Sequence, residues 1–241
     1  MTGKEFLKKT TYPYLGPSDQ MKGVPQPPLQ LAPGRQPLID LPEPHDTPRK
    51  ELPLAAAIDR RVSIRDYTAE PLTLAELSWL LWCTQGVKEV IPHQATLRTV
   101  PSAGARHALE TYLLVNRVNG LEPGLYRFVA VGHQLLEIHG PKDVGILIRK
   151  ACLGQEMVTA SAVAIIWTAV IRRMTWRYGA RGYRYIFLDA GHACQNLYLA
   201  AQEIGCGVCA VAAFDDDAMN RILSLDGEEQ FALYLATLGK V

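Results

Sequence analysis

Arg60-Arg61-Val62-Ser63-Ile64-Arg65-Asp66-Tyr67 is the stretch around which this chain is organised. It places three guanidinium groups and one hydroxyl within six residues. A guanidinium fork matches phosphate oxygens in a bidentate manner, and serine and main-chain N–H groups add further donors. The stretch therefore predicts a site for a phosphate monoester, with one arginine free for another part of the same ligand. A solvated basic helix end is the alternative interpretation of these residues alone.

Composition limits the classes of protein that this chain can form. Its 241 residues are 48% hydrophobic and 20% charged, which fits one large domain or a domain with an arm. The net charge of +1 gives no reason to expect nucleic acid or an anionic membrane as a partner. The longest apolar run, 160–171, is too short to span a bilayer. Residues 1–10 lack an apolar signal region, so we expect a cytoplasmic protein.

Proline divides the chain into two unequal parts. Most of its 16 prolines precede residue 54, and proline removes N–H donors and disfavours helix in the residue before it. We therefore predict that residues 1–50 form a proline-rich N-terminal arm, extended over the surface or partly disordered. Residues 51–241 are predicted to form the folded domain.

Periodicity and capping signals predict alternating helices and strands in the second part. Thr73 and Glu76 form a capping box, and Gly86 is a plausible end of that helix. The predicted helices are 52–61, 74–85, 143–152, 186–204 and 218–223, and the predicted strands are 108–118, 125–131, 134–139, 162–171, 208–214 and 231–238. Residues 87–100 are predicted to be an irregular loop. Interleaved helices and strands indicate a layered α+β or α/β domain.

Several stretches match the letters of familiar motifs but lack the neighbouring elements or ligands that those motifs require. Residues 205–210 match the letters of a dinucleotide fingerprint, but here a helix precedes and a strand follows, which is the wrong order. Cys206 and Cys209 form a single CxxC pair, too few ligands for zinc and not at a helix N-terminus, so we interpret them as structural cysteines. Asp215 to Asp217 are interpreted as a helix cap. We predict no metal site.

Five blocks taken together resemble the nitroreductase superfamily of FMN flavoproteins. The branch that they resemble most is that of the SagB/ThcOx-type dehydrogenases, whose characterised members oxidise thiazolines and oxazolines in peptides. The blocks are 60–67 (RRVSIRDY), 77–86 (LSWLLWCTQG), 101–105 (PSAGA), 178–197 (YGARGYRY running into GHACQNL) and 205–215 (GCGVCAVAAFD). Each block is weak alone, and their order and spacing carry the resemblance.

The resemblance implies how FMN would be held. Arg61 and Ser63 would bind the phosphate and ribityl end, Val62 would contribute its main chain, and Arg65 would reach the pyrimidine edge of the flavin. A cation at that edge stabilises the charge of the reduced ring and raises its potential. The remaining residues implied to contact the cofactor are Pro101, Ser102, Ala103 and Gly104 of the partner subunit, the strand Ala210-Val211-Ala212 near N5, and Lys240 at the phosphate.

The resemblance also implies a fold and an assembly. The fold would be α+β, a three-layer α/β/α sandwich whose central, mostly antiparallel sheet is flanked by helices. Two chains would intertwine as a homodimer with two FMN sites at the interface. Helix 186–204 would lie in the dimer core, with Gln195 and Asn196 either hydrogen-bonded in that interface or on a solvated helix face.

The implied activity is that of an FMN-dependent oxidoreductase passing hydride through flavin N5 in a ping-pong cycle. NAD(P)H would be the reductant, and a nitro, quinone or azoline compound the substrate. Azoline-oxidising relatives carry Lys-Tyr where this chain has Arg177-Tyr178, and arginine is a poor base. Arg177 and Tyr178 are the predicted catalytic candidates, with Tyr178 as acid or hydrogen-bond donor. The alternative is a catalytically weak flavin-binding subunit of a complex that modifies peptides.

Overall fold

A computed structural model describes residues 2–241 of the chain. The helices are α1 (Gly3–Lys9), α2 (Leu54–Arg60), α3 (Leu74–Gln85), α4 (Val144–Ala151), α5 (Met157–Ala160), α6 (Ile171–Tyr178), α7 (Gly182–Glu203) and α8 (Asp216–Ile222). The strands are β1 (Leu38–Asp40), β2 (Val87–Ile91), β3 (Ala95–Arg98), β4 (Leu109–Val115), β5 (Gly124–Val129), β6 (Gln134–Ile138), β7 (Val163–Val170), β8 (Cys206–Val211) and β9 (Gln230–Lys240). None of the helices within the described residues is long and apolar enough to cross a membrane.

Seven strands form one antiparallel sheet in the order β1-β6-β5-β4-β7-β9-β8. Side chains alternate between its two faces, as the pleat of a strand requires. Leu113 of β4 and Trp167 of β7 enter the core beneath α3 and α7, whereas Leu114 and Ile166 enter the core beneath α4 and α8. A helical layer therefore covers each face, which confirms the predicted α+β sandwich around a mostly antiparallel sheet.

Local sequence signals account for helix α3 and its position. Thr73 Oγ1 accepts a hydrogen bond from Glu76 N at 3.2 Å, and Glu76 Oε2 accepts one from Thr73 N at 2.9 Å. The predicted capping box is thus confirmed, and Gly86 follows the last residue of the helix as predicted. Leu77, Leu80 and Leu81 of α3 are completely buried in the core that α7 shares.

One predicted segment of the fold was wrong, and one helix was not predicted. Residues 87–100 are not an irregular loop, because β2 and β3 pair there as an antiparallel hairpin. The turn places His93 at φ 56, a left-handed conformation without the glycine that usually marks it. Residues 172–178, for which the sequence predicted no element, form helix α6 together with Ile171, which the predicted strand 162–171 had included.

The N-terminal residues are more structured than an extended arm. They contain helix α1 and strand β1, which pairs with β6 and forms one edge of the main sheet. The segment between them lies against a buried ionic cluster in which Glu110 contacts Arg127 at 3.3 Å and Arg173 at 2.6 Å. All three side chains are at most 5% exposed.

The cluster binds the main chain of the arm. Leu31 N donates to Glu110 Oε1 at 2.8 Å, Arg127 donates to the carbonyls of Leu31 and Ala32, and Arg173 Nε donates to Pro28 O at 2.8 Å. Buried charges need partners of this kind, because an unpaired charge in the interior is very unfavourable. Residues 28–32 are therefore an integral part of the packed structure.

Candidate cofactor site

The basic stretch 60–67 crosses the outer edge of the sheet, beside β8. Helix α2 ends at Arg60, and Arg61 is its C-cap residue. The chain then becomes extended. Ser63 pairs with Val208 in a parallel bridge, and Ile64 N donates to Val208 O at 2.9 Å. Backbone pairing with β8 therefore fixes the centre of the stretch.

A side chain anchors the far end of the stretch. The Tyr67 hydroxyl lies 2.8 Å from Thr237 Oγ1 on β9 and donates to Ile64 O at 2.8 Å. The stretch is thus held to both β8 and β9, and residues 61–65 cannot move as a free loop.

A pair of glycines forms the floor beneath this stretch. Gly207 of β8 and Gly239 of β9 lie opposite each other in the sheet. A Cβ on Gly207 would lie 2.7 Å from Ile64 Cβ, and a Cβ on Gly239 would lie 3.0 Å from Tyr67 Cβ. Because only glycine permits this approach, the sequence of two strands determines where the basic stretch can lie. Gly205, at φ 65, is the glycine that ends α7.

Tyr198 of α7 connects the two parts of the predicted site. Its hydroxyl accepts a hydrogen bond from Ala210 N at 2.8 Å and lies 2.9 Å from Ser63 Oγ. The Arg61 guanidinium lies over the Tyr198 ring, 5.4 Å from its centroid. The Tyr198 side chain, which is 9% exposed, therefore joins Arg61 and Ser63, the residues predicted to bind the phosphate, to the strand predicted to contact the flavin.

A cavity of about 380 Å³ adjoins this group. Among residues 2–241, its charged lining side chains are Lys50, Arg60 and Arg61, with Glu51 as the one carboxylate side chain. Val62 and Tyr198 also line it. Cations outnumber carboxylates here, so the cavity favours an anion, and guanidinium groups suit phosphate oxygens. The residues present therefore fit a phosphate-bearing cofactor.

The predicted residues of this region have distinct positions. Arg61 and Val62 line the cavity, and Ser63 is joined to it through Tyr198. Arg65 is exposed, and within residues 2–241 its side chain has neither a hydrogen bond nor an ion pair. The Arg65 guanidinium is therefore available to a ligand, as its predicted role requires.

The predicted flavin-facing strand offers mainly its backbone. Ala210 is half-buried, and Val211 is 4% exposed with its side chain in the core beneath α4 and α8. Ala212 lies just beyond the end of β8 and is exposed. Only the main chain of Val211 can therefore face a ligand.

The other predicted residues gather at a second place. Gly104 has φ 57, and a Cβ there would collide with the Tyr178 hydroxyl and lie 3.1 Å from Arg177 Nε. Ala103 N donates to Asp189 Oδ1 at 3.4 Å, and Ser102 Oγ accepts from His107 N at 2.9 Å. Burial raises the pKa of Asp189. Segment 101–104 thus lies against the predicted catalytic pair, Arg177 and Tyr178, of the same chain.

Helix α7 separates the two groups. Asp189 holds the segment 101–104, and Tyr198 holds the stretch 60–67. Nine residues along an α-helix correspond to about 14 Å of axial rise. Within residues 2–241 no hydrogen bond or ion pair connects the two groups directly.

Lys240 is engaged elsewhere. Its ammonium forms an ion pair with Glu76 Oε1, the capping-box residue of α3, and donates to Ile204 O at 2.7 Å. This lysine does not line the cavity with Arg61. Its predicted contact with a phosphate stays a prediction, and it would require the Glu76 ion pair to open.

The cysteines of the CxxC motif lie on opposite faces of the sheet. Cys206 packs in the core beneath α3 and α7, and Cys209 in the core beneath α4 and α8. Burial raises the pKa of the Cys206 thiol to about 12 and also raises that of Cys209. These two thiols cannot form a disulfide or share a metal, as the structural interpretation predicted. Among residues 2–241 no group of three or more His, Cys, Asp or Glu side chains could hold a metal ion.

Comparison with known proteins identifies the family. The sequence model of the nitroreductase family matches residues 58–240. MJ1384 of Methanocaldococcus jannaschii, provisionally named a nitroreductase, is 35% identical over 191 residues, which cover 79% of this chain and 92% of the relative. The chain belongs to the nitroreductase family, whose members bind flavin, and it is an oxidoreductase of that family.

Three further similarities concern the branch and the fold. The microcin B17-processing protein McbC of Escherichia coli is 25% identical over 149 residues, covering 60% of this chain and 54% of McbC. A provisionally named nitroreductase of Ralstonia eutropha has a solved structure with a TM-score of 0.69 and 25% identity, covering 90% of this chain and 94% of that one. A structure from Desulfovibrio desulfuricans, solved in complex with FMN, shares the fold at a TM-score of 0.54 and 16% identity over 79% of this chain and 87% of that one.

Two residues of the site carried no recognisable signal in the sequence. Tyr198 stands within an apolar helix pattern, where a tyrosine is indistinguishable from a core residue. Gly239 lies in a C-terminal strand and has meaning only because Gly207 faces it. The register of β8 and β9 reveals the role of Gly239, and the contacts with Ser63 and Ala210 reveal that of Tyr198.

Proposed function

We propose that this chain is an FMN-dependent oxidoreductase that takes reducing equivalents from NAD(P)H. The observation that carries the proposal is the Tyr198 hydroxyl, which joins Ser63 to Ala210 N beside a cavity lined by Arg60 and Arg61. This arrangement combines donors for a phosphate ester with an exposed strand end where a flat ring can approach.

The roles proposed for the residues follow from their positions. Arg61 and Ser63 would bind the phosphate and ribityl end, and Arg65 would place its free guanidinium at the pyrimidine edge. FMN supplies hydride transfer when it is bound, in a ping-pong cycle between NAD(P)H and a nitro, quinone or azoline compound. The main chain at 210–212 would orient the ring, and Tyr178 would donate a hydrogen bond or proton to the substrate.

A homodimer is part of the proposal. Segment 101–104 and the stretch 60–67 are held about nine residues apart on α7, so one chain does not bring them to a single ligand. Phe187 and Leu188 on α7 are 56% and 59% exposed, which favours burial against a second copy. Asn196 Nδ2 donates to Cys83 O at 2.9 Å within the chain, whereas Gln195 is exposed and free for such an interface.

A second candidate function is a catalytically weak flavin-binding subunit of a peptide-modifying complex. The similarity to the microcin B17-processing protein favours it, as does Arg177 where azoline oxidation would need a base. The two functions differ in whether the bound flavin turns over with NAD(P)H.

Absorbance of the purified protein and mass identification of the released chromophore test the binding. We expect a two-banded flavin spectrum with about one FMN per chain. Under anaerobic conditions, loss of colour with NAD(P)H and its return with a quinone would support the oxidoreductase, and a spectrum indifferent to both would favour the binding subunit. A colourless protein that takes up no added FMN would contradict both.

Arg61→Ala tests the phosphate assignment directly. We expect FMN binding to weaken by about 1–3 kcal/mol, the usual contribution of charged hydrogen bonds. Fluorescence titration of the apoprotein with FMN measures this change. Arg35→Ala, which removes an exposed arginine of the N-terminal arm, is the matched control. Equal FMN affinities of the Arg61 variant and the control would refute the assignment.

A further inference from the structure

A buried arginine without a carboxylate partner lies at the base of the β2–β3 hairpin. Arg98 is 7% exposed. Its Nε donates to Thr96 Oγ1 at 3.1 Å and its Nη1 to Gln85 Oε1 at 2.9 Å. Both acceptors are neutral, so the charge of the guanidinium is not balanced by either. A buried charge ordinarily has an opposite charge close by.

The acidic side chain whose charge acts on Arg98 already has partners. Glu110, whose charge acts on Arg98, is bonded to both Arg127 and Arg173. Three guanidinium groups therefore share one carboxylate, and the interior here carries an excess of positive charge. The pKa of His107 is consistent with this excess of positive charge. It is lowered to about 3, mainly by burial and then by the charges of Arg98, Arg106 and Arg173.

One nitrogen of the Arg98 guanidinium has no partner within the described part of the chain. Its Nη2 has no acceptor among residues 2–241, and it is not one of the unpartnered nitrogens sealed from solvent. Arg98 lines a cavity of about 570 Å³ together with Lys88, Glu89, Ser102 and His107. Lys88 offsets Glu89, so Arg98 gives the lining a net positive charge.

We propose that this cavity binds the oxyanion group of a small-molecule redox partner, with Arg98 as the principal donor and Lys88 as a second. The oxyanion is a phosphate of the nicotinamide dinucleotide or a carboxylate of the acceptor. Assignment to a redox partner rests on the proposed function, since Pro101 and Ser102 of the same cavity belong to the segment predicted to contact FMN. Binding of an anion does not depend on that function.

Isothermal titration of the purified protein with inorganic phosphate and with benzoate tests anion binding. We expect saturable binding of at least one of them, weakened about tenfold or more in Arg98→Gln, which removes a charged donor. Lys88 is exposed, so Lys88→Gln leaves the core intact and keeps the test valid if Arg98→Gln does not fold. It should weaken binding about threefold, whereas Lys142→Gln, an exposed lysine before α4, should not. Absence of saturable binding, or equal affinities in all variants, would overturn the proposal.

Steady-state kinetics identify the source of the oxyanion. A higher KM of Lys88→Gln for NADPH alone would indicate its 2′-phosphate, and a higher KM for NADPH and NADH alike would indicate their pyrophosphate. A higher KM for 4-nitrobenzoate but not 4-nitrobenzamide would indicate a substrate carboxylate. If no KM changes while phosphate or benzoate binding is lost, the redox-partner assignment is overturned and the anion site stands. A protein that carries no flavin refutes the proposed function, and the titration with phosphate still decides the anion site.

Discussion

At the scale of single residues, Tyr198 makes several contacts that connect the parts of the proposed site. It accepts the Ala210 N–H and contacts Ser63 Oγ, while its ring lies under Arg61. A network of this kind is worth more than the sum of its separate contacts, because each group fixes the geometry of the next. We therefore expect Tyr198 to act as a positioning residue for the proposed site.

Tyr198→Phe should weaken FMN binding by about 1–2 kcal/mol, since it leaves the Ala210 N–H and Ser63 Oγ without their partner. FMN titration of the apoprotein measures the change. Tyr183→Phe on the same helix is the control, because that hydroxyl has no hydrogen bond within the described residues. In a double-mutant cycle with Ser63→Ala the two losses should not add. Strict additivity would show that the Ser63–Tyr198 contact contributes nothing to binding.

His107 predicts a pH dependence of folding. Its pKa is lowered from 6.5 to about 3 in the folded protein, so the unfolded chain binds a proton first as pH falls. Folding stability is therefore full above about pH 6.5 and decreases between there and about pH 3, by up to about 1.4 kcal/mol per pH unit. Burial also lowers the pKa of His133, which acts with the same sign.

His107→Asn should flatten that profile. Asparagine tolerates the left-handed φ of 42 at this position and does not titrate. Urea unfolding from pH 7 to pH 4 would show a smaller loss of stability than in the wild type. His139→Asn, at an exposed position, should leave the slope unchanged. Parallel profiles for the His107 variant and the wild type would contradict the prediction.

At the scale of elements, the basic stretch depends on the two strands beneath it. Gly207→Ala would place a Cβ 2.7 Å from Ile64 Cβ, so residues 62–67 must lift from β8. We expect a loss of about 1–3 kcal/mol in folding stability, the usual cost of overpacking, and weaker FMN binding. Gly140→Ala, where a Cβ meets nothing within 4 Å, is the control. Unfolding and FMN titration of both variants test this expectation. Unaltered FMN affinity in Gly207→Ala would show that the glycine pair beneath the stretch does not contribute to FMN binding.

These elements also show how far the sequence could predict the structure. Capping signals and apolar periodicity predicted α3, α4, α7 and the central strands, because those elements are defined by their own residues. The β2–β3 hairpin was missed because Val87-Lys88-Glu89-Val90-Ile91 does not alternate strictly and its turn lacks glycine. Strand β1 has three residues and is defined by its partner β6. The stretch 60–67 was recognisable from its own residues. The roles of Tyr198 and Gly239 were not, because they depend on contacts with residues distant in sequence.

At the scale of the whole molecule, the N-terminal residues and the body form one packed unit. Residues 24–32 supply acceptors and a donor to Trp176, Arg173, Arg127 and Glu110. Residues 2–16 have a different attachment, through Arg181 and Arg184 to the Thr10 and Leu7 main chain. Only the former attachment involves a buried ionic cluster.

Two truncations should therefore differ in stability. Removal of residues 2–16 should cost little, because partly exposed ion–dipole contacts contribute about 1 kcal/mol or less. Removal of residues 2–34 should cost about 3 kcal/mol or more, because the buried Arg127 and Arg173 guanidinium groups lose their main-chain acceptors and keep only Glu110. Urea denaturation of the two truncated proteins measures both. Equal losses would show that the cluster is stable without the arm.

The position of the stretch 60–67 along β8 has a consequence for the handling of this protein in a cell. An uncovered strand edge is a template for pairing with another chain. Ile64 N and the Tyr198 hydroxyl satisfy Val208 O and Ala210 N on that edge, so the stretch proposed to bind the cofactor, together with Tyr198, should also protect the sheet from aggregation. Variants that release the stretch should be recovered in low yield as insoluble protein, and cofactor added during expression should rescue them.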